Sequence, residues 1–190
     1  MAYVLEVLRE EHRNSEKLLC VLERELSVFD RGDRPNYEVI LGVIEYFKDY
    51  PDSFHHPKED MIFEKLKSRD PVAAADIGDL YTEHEEGAGR LRRVAQAIER
   101  VLNDQDLVRQ GVNAIIRDFL GHERKHMEME ERIFFPAALN ALRPKDWADI
   151  ALKLADRRDP LNEPGLEQKF GMLRRKILEI EAETTAEQIG

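Results

Sequence analysis

A single cysteine, Cys20, stands among 190 residues. No intramolecular disulfide can therefore form, and four-thiolate zinc or iron–sulfur sites are excluded. The chain suits a reducing cytoplasm. Eight prolines and ten glycines are too few for a low-complexity linker or a turn-rich chain. Basic residues are also in deficit, 29 against 39 acids for a formal net charge of -10. Phosphate backbones and anionic lipid surfaces attract clustered Lys and Arg, so neither nucleic acid nor membrane is an expected partner. Long apolar runs are missing too. The N-terminal stretch MAYVLEVLREEHRN carries an acid by residue 6, which argues against a signal peptide or a membrane anchor. There is no Gly-rich phosphate loop, dinucleotide fingerprint or DNA-reading module.

What is present is helical. The hydrophobic share of 42% with 36% charged residues describes a soluble chain able to bury a core, in one domain with or without an appendage. Residues 2 to 29 repeat Val4, Leu5, Leu8, Leu18, Leu19, Leu22 and Leu26 at helical spacing, and Asp30-Arg31-Gly32-Asp33 ends the run. A second helix starts near Pro35 and carries Val39, Ile40, Val43, Ile44 and Phe47; Pro51 and Pro57 predict a kink or two short helices. Asp70-Pro71 has the form of an N-cap with proline at the first helical position, opening a third helix to about Asn103. Asp106 is placed to cap a fourth, which Pro136 kinks or ends. Four long helices with short links predict an all-α, antiparallel four-helix bundle over residues 1–142. Residues 143–190 predict further helices packed on it as a C-terminal extension, with an interaction or dimerisation surface as the other reading.

The six histidines occupy positions 12, 55, 56, 84, 122 and 126, and overlaying the two halves of the chain gives them a pattern. His12 to His84 spans 72 residues, while His55 to His126 and Glu59 to Glu130 each span 71. Each half thus presents one His and then His-x-x-x-Glu. The flanks agree: Glu11-His12 answers Glu83-His84, and Glu59-Asp60-x-x-Phe63 answers Glu130-Glu131-x-x-Phe134. An isolated His-x-x-x-acid is common in so acidic a chain; the repeated register is what carries weight. Residues four apart share a helical face, so His55 with Glu59 and His126 with Glu130 can face inward opposite His12 and His84. Imidazole suits Fe, Cu, Zn or Ni, and a carboxylate can bridge two cations. Without a cation, the buried carboxylates would need protons or other partners. His56 competes with His55, because Pro57 can distort the helix between them and Glu59, and the role of His122 is open.

This pattern resembles the hemerythrin-like proteins: His on the first helix, His-x-x-x-Glu on the second, His on the third and His-x-x-x-acid on the fourth. Phe54-His55-His56-Pro57-Lys58-Glu59-Asp60 and His126-Met127-Glu128-Met129-Glu130-Glu131 look typical of bacterial members, some with a C-terminal tail. The resemblance implies a non-haem centre of two Fe ions with an oxo or hydroxo bridge. His12 and His55 would be terminal ligands to one iron, and His84 and His126 to the other, with Glu59 and Glu130 bridging them. Oxygen-carrying members have a second histidine four residues after the one on the third helix; here that position is Ala88, which weighs against reversible oxygen carriage. A ferritin-like carboxylate site is the structural competitor, since Asp52-x-x-His55 and Glu123-x-x-His126 resemble its acid–His element. Histidines stand where it would need glutamates.

The expected function is capture of O2 or NO for sensing, oxygen or iron handling, or stress response. The alternatives are a di-iron redox enzyme for peroxide removal or iron oxidation, and iron storage or donation for cluster repair.

Overall fold

The computed structural model describes residues 3–103, 109–157 and 166–189, and these are helical with no strand among them. Helix α1 runs Tyr3–Asp30. It ends as a glycine-terminated helix does: Gly32 takes φ 91°, its N–H reaches the Phe29 carbonyl at 3.1 Å, and the Asp33 N–H reaches that of Val28 at 3.2 Å. Helix α2, Tyr37–Tyr50, is capped by Asn36, whose side chain accepts the N–H groups of Glu38 and Val39.

The prolines predicted to kink this region act in a defined way. Residues Pro51–His55 form a π turn before α3, His56–Arg69, and the His56 N–H reaches back to the Pro51 carbonyl. Pro57 has no N–H and its ring crowds the carbonyl four residues earlier; a widened turn just ahead of it relieves both problems without breaking the helix. The same solution recurs in α6, Arg109–Met129. It passes into a π turn, Glu130–Phe134, with the Phe135 N–H on the Glu130 carbonyl, and then into α7, Phe135–Ala141, which carries Pro136. The expected N-cap Asp106 lies outside the described residues.

One expected helix is two. Asp70 does cap a helix, accepting the Ala73 N–H at 3.0 Å, but α4 covers only Pro71–Ile77. Gly78 at φ 90° terminates it, and Asp79 caps α5, Leu80–Leu102, through the Tyr81 N–H and the Thr82 hydroxyl. The apolar periodicity continues across the break, which hides it from a reading by period alone.

The four long rods are antiparallel, as the order of two apolar cores along each shows. One core contains Leu18, Leu22, Val43, Phe47, Leu91 and Phe119; the other contains Leu5, Leu8, Ile62, Leu66, Leu80 and Phe134. Going along α1 the chain leaves the second core at Leu8 and enters the first at Leu18; α2–α3 runs the opposite way, α5 repeats α1, and α6 with its π turn repeats α2–α3. Between the two layers, at His12, His55–Glu59, His84 and His126–Glu130, every rod contributes polar side chains. Each fully buried aliphatic or aromatic residue above and below contributes about 1.5–3 kcal/mol, so the belt is held between two ordinary hydrophobic cores.

Beyond these rods, α8, Pro144–Arg157, lies against α3. Asp146, 2% exposed, takes both arms of the Arg69 guanidinium at 2.8 and 2.9 Å and the Arg143 N–H at 2.9 Å. Helix α9, Leu166–Ile189, packs on α2 and α1, burying Phe170 and Ile177 in the first core. No helix of the described residues is long and apolar enough to cross a membrane.

Candidate metal centre

The polar belt brings together donor atoms from four rods. His12 Nε2 lies 3.1 Å from His55 Nε2, 3.3 Å from Glu130 Oε2 and 3.7 Å from Glu59 Oε1; His55 Nε2 is 3.1 Å from the same Glu59 oxygen. On the other side, His84 Nε2 is 3.5 Å from Glu59 Oε2 and 3.9 Å from Glu130 Oε1, while His126 Nε2 is 3.2 Å from Glu130 Oε1. Each glutamate therefore turns one oxygen toward the His12–His55 pair and the other toward His84 or His126. All six side chains singled out by the repeat lie in this cluster. His122 lies outside it, with Nε2 against the Glu83 carbonyl at 3.3 Å.

Glu59 and Glu130 are fully buried. Among the described residues, none of their four carboxylate oxygens makes a hydrogen bond, nor do His84 Nε2 and both His126 nitrogens. Buried polar atoms are rarely left so. The donors aim at shared points rather than at one another, and the spacing fits cations. Two ligands about 2.1 Å from one ion at right angles stand about 3 Å apart, close to the His12–His55 separation. Donor atoms of His12, His55, Glu59 and Glu130 fall within 4.8 Å of one another, as do those of His84, His126 and Glu130.

The charges show what a cation replaces. Burial would lower the pKa of His12, but Glu130 and Glu59 outweigh it and lift the imidazole to about 10. Burial opposes the same effect at His55, raised to about 9 by Glu59 and Glu11, and at His84, raised to about 10 by Glu130 and Glu59. Burial would raise Glu59, yet the surrounding histidines hold it well below the usual carboxylate range. Without metal, protons on the histidines balance the two carboxylates; a metal that takes the nitrogen lone pairs must displace those protons.

Side chains beyond the six orient them. Glu11 accepts His55 Nδ1–H at 2.9 Å and is itself held by the Tyr50 hydroxyl at 3.1 Å and Lys58 Nζ at 2.6 Å. Glu131 does the same for His12 Nδ1 at 3.0 Å. A carboxylate on the far nitrogen fixes the tautomer and leaves the inner nitrogen free to ligate. In the sequence Glu11 stands next to His12 and Glu131 next to Glu130, as matching flanks of the repeat; the histidines they hold, His55 and His12, are brought to them by folding.

A cavity of about 270 Å3 opens on the His84–His126 side, lined there by His56, Ala88, His122 and Glu123. Gly87 makes room: a Cβ there would stand 2.8 Å from Glu123 Oε1. Burial pushes the Glu123 carboxyl up to about 7, leaving an acid near the neutral range in the cavity wall.

An antiparallel helical bundle with a buried His/Glu belt of this kind defines a cation-binding protein. Residues 3–138 match the family model of the hemerythrin HHE cation binding domain, and the chain belongs to that family. No curated protein and no solved structure gives a significant match.

Proposed function

We propose that the chain is a cytoplasmic non-haem di-iron protein that binds O2 or NO, serving sensing, oxygen or iron handling, or stress response. The observation that carries this reading is the division of Glu59 and Glu130, each with one oxygen toward His12 and His55 and the other toward His84 or His126. Two carboxylates shared between two nitrogen sets suit a pair of cations better than one. His12, His55, His84 and His126 would hold the irons terminally and the two glutamates would bridge them. When bound there, the irons would supply the redox chemistry for small diatomic ligands. The chain's own residues set the rest: the two apolar cores exclude bulk water from the belt, Glu11 and Glu131 orient two imidazoles, and the Ala88–Gly87 cavity admits a small molecule beside His84 and His126.

A second reading, a redox enzyme acting on peroxide or ferrous iron, is favoured by Glu123. A carboxyl with a pKa of about 7 beside the cavity can deliver a proton at neutral pH.

Purification without oxygen, iron analysis per chain and absorption spectra before and after O2 test the proposal. Two irons and a charge-transfer band that forms with O2 or NO are expected. One zinc per chain, or no metal after iron supplementation, would sink it. Sustained peroxide turnover would select the enzyme reading.

A further inference from the structure

The matched family domain ends at residue 138, yet the C-terminal extension bears on the belt from outside it. Phe170 and Ile177 are the two described side chains of α9 that are buried. Ile177 seats on α2 where Gly42 leaves room, since a Cβ there would stand 3.0 Å from Ile177 Cγ1. Phe170 meets three rings edge-on: Tyr46 at 6.1 Å, Tyr50 at 5.7 Å and Phe54 at 6.1 Å between centroids. Tyr46 and Tyr50 lie on the last turns of α2, and Phe54 lies in the π turn that ends at His55. A polar chain starts from the same residues. The Tyr50 hydroxyl donates to Glu11 Oε1 at 3.1 Å. Lys58 Nζ donates to that oxygen at 2.6 Å and is held by the Phe54 carbonyl. The other Glu11 oxygen holds His55 Nδ1 at 2.9 Å. We infer that Phe170 is a positioning residue for His55, acting through Glu11, and that docking of α9 is thereby coupled to metal in the belt. This rests on the reading of His55 as a metal ligand.

The physical case is one of packing behind a hydrogen bond. Both donors to Glu11 Oε1 depend on where Tyr50 and Phe54 sit, and Phe170 is the α9 side chain that touches both. Thinning it leaves a void beside these rings, into which they can relax. Hydrogen bonds to a carboxylate are short and directional, so such a movement costs Glu11 a donor and His55 its fixed orientation. The other half has no such clamp, because Tyr50 and Phe54 correspond to Gly121 and Lys125 under the 71-residue offset. The ion pairs of α9, Lys169 with Glu45 and Lys176 with Glu38, are exposed and add little. Its docking therefore leans on two buried anchors, one of which is the clamp itself. A segment with so few buried contacts opens more readily than the bundle beneath it. Coupling of this kind is reciprocal, so metal tightens α9 by the factor by which docked α9 tightens metal.

The test is a double-mutant cycle on the full chain, loaded with ferrous iron in the absence of oxygen and titrated with a chelator. Phe170→Leu should weaken iron binding about fivefold, a size that coupled neighbours commonly show. In a Glu11→Ala background the same substitution should add less than about twofold, because the group through which it acts is gone. Its effect on the melting temperature of the metal-free protein should be alike in both backgrounds, which separates packing from positioning. An unchanged iron affinity in Phe170→Leu, or an equal fivefold loss with and without Glu11, would overturn the inference. Hydrogen exchange on the wild type tests it without any substitution and decides if Phe170→Leu fails to fold. Iron should slow exchange in α9 about fivefold and in α8, which lies on α3 away from Glu11, distinctly less. Equal slowing in both helices, or none in α9, overturns the coupling. A wild type that binds no iron would instead remove the metal reading beneath it.

Discussion

The two halves of the repeat repeat the inner residues of the belt but not what surrounds them. In the first half Glu11 grips His55, and Tyr50 and Lys58 grip Glu11. Under the same 71-residue offset, Tyr50 and Lys58 correspond to Gly121 and Met129, neither of which has a side-chain donor. Glu83, the counterpart of Glu11, lies exposed, and His126 Nδ1, which it would have served, is buried with no hydrogen bond among the described residues. The cavity with Ala88 and Glu123 opens on this second side. The His12 side also has a groove of about 330 Å3, but Arg13, Glu16, Arg124 and Glu131 line it with charge. One half is thus braced to hold and the other left looser and accessible, the division expected where one part of a centre must stay and another must admit a guest.

Removing what both halves share should have the largest effect. Glu59→Ala and Glu130→Ala should each lose most of the bound metal, since each carboxylate serves both donor sets, while His12→Ala loses less; metal per chain after gel filtration measures this. Retention of two irons by both glutamate variants would refute the bridging assignment. The difference in bracing comes next. Glu11→Ala should lower metal affinity about 10–100-fold, as loss of such a partner typically does, whereas Glu83→Ala should change it less than about twofold; competition with a chelator gives both numbers. Equal losses would erase the comparison.

Protons sharpen it from another side. A histidine with a raised folded pKa stabilises the metal-free protein fully below its unfolded value near 6.5 and loses that contribution as pH rises through its folded value. For His55 and for His12 and His84 those values are about 9 and about 10, so the metal-free melting temperature should fall steadily as pH rises from about 6.5 to about 10. The metal-loaded protein should be spared this fall. Metal uptake at pH 7 should release protons and weaken as pH drops, because the cation competes with them for the same nitrogens. Calorimetric titration in buffers of different ionisation enthalpy counts the protons. The smallest effect is expected at His122. It sits in the cavity wall and bonds a backbone carbonyl, so His122→Ala should keep both metals and shift only the O2- or NO-dependent spectrum. Loss of metal there would move His122 into the belt.

Much of the bundle was legible because apolar period and chain punctuation agree. Asp70 caps a helix as its Asp-Pro pair predicts, and Gly32 stops α1. The break at Gly78-Asp79 was present in the residues yet obscured, since α4 and α5 continue the same apolar rhythm. The six residues of the register could be picked out because each half repeats them. Their supports could not, since Glu11 with Tyr50 and Glu131 with His12 are joined only by folding, across 39 and 119 positions. The choice between His55 and His56 was posed as an alternative; in the folded chain the two face different histidines, which depends on how the turn before Pro57 resolves.

That turn and its partner before Pro136 also set rotational phase. An α-helix advances about 100° per residue, so a π turn is in effect one residue spliced into a helix without losing the thread. Take one residue from Pro51–His55 and everything beyond, Glu59 included, swings by about that angle relative to Val43 and Phe47, out of the belt and toward solvent. The two prolines act as indexing pins for these offsets. They stand 79 residues apart while the His-x-x-x-Glu registers stand 71 apart; one offset is inserted ahead of its glutamate and the other begins at it. Two copies of one motif are thereby seated on rods that have been turned at different heights, like two keys cut from the same blank for opposite sides of a single lock.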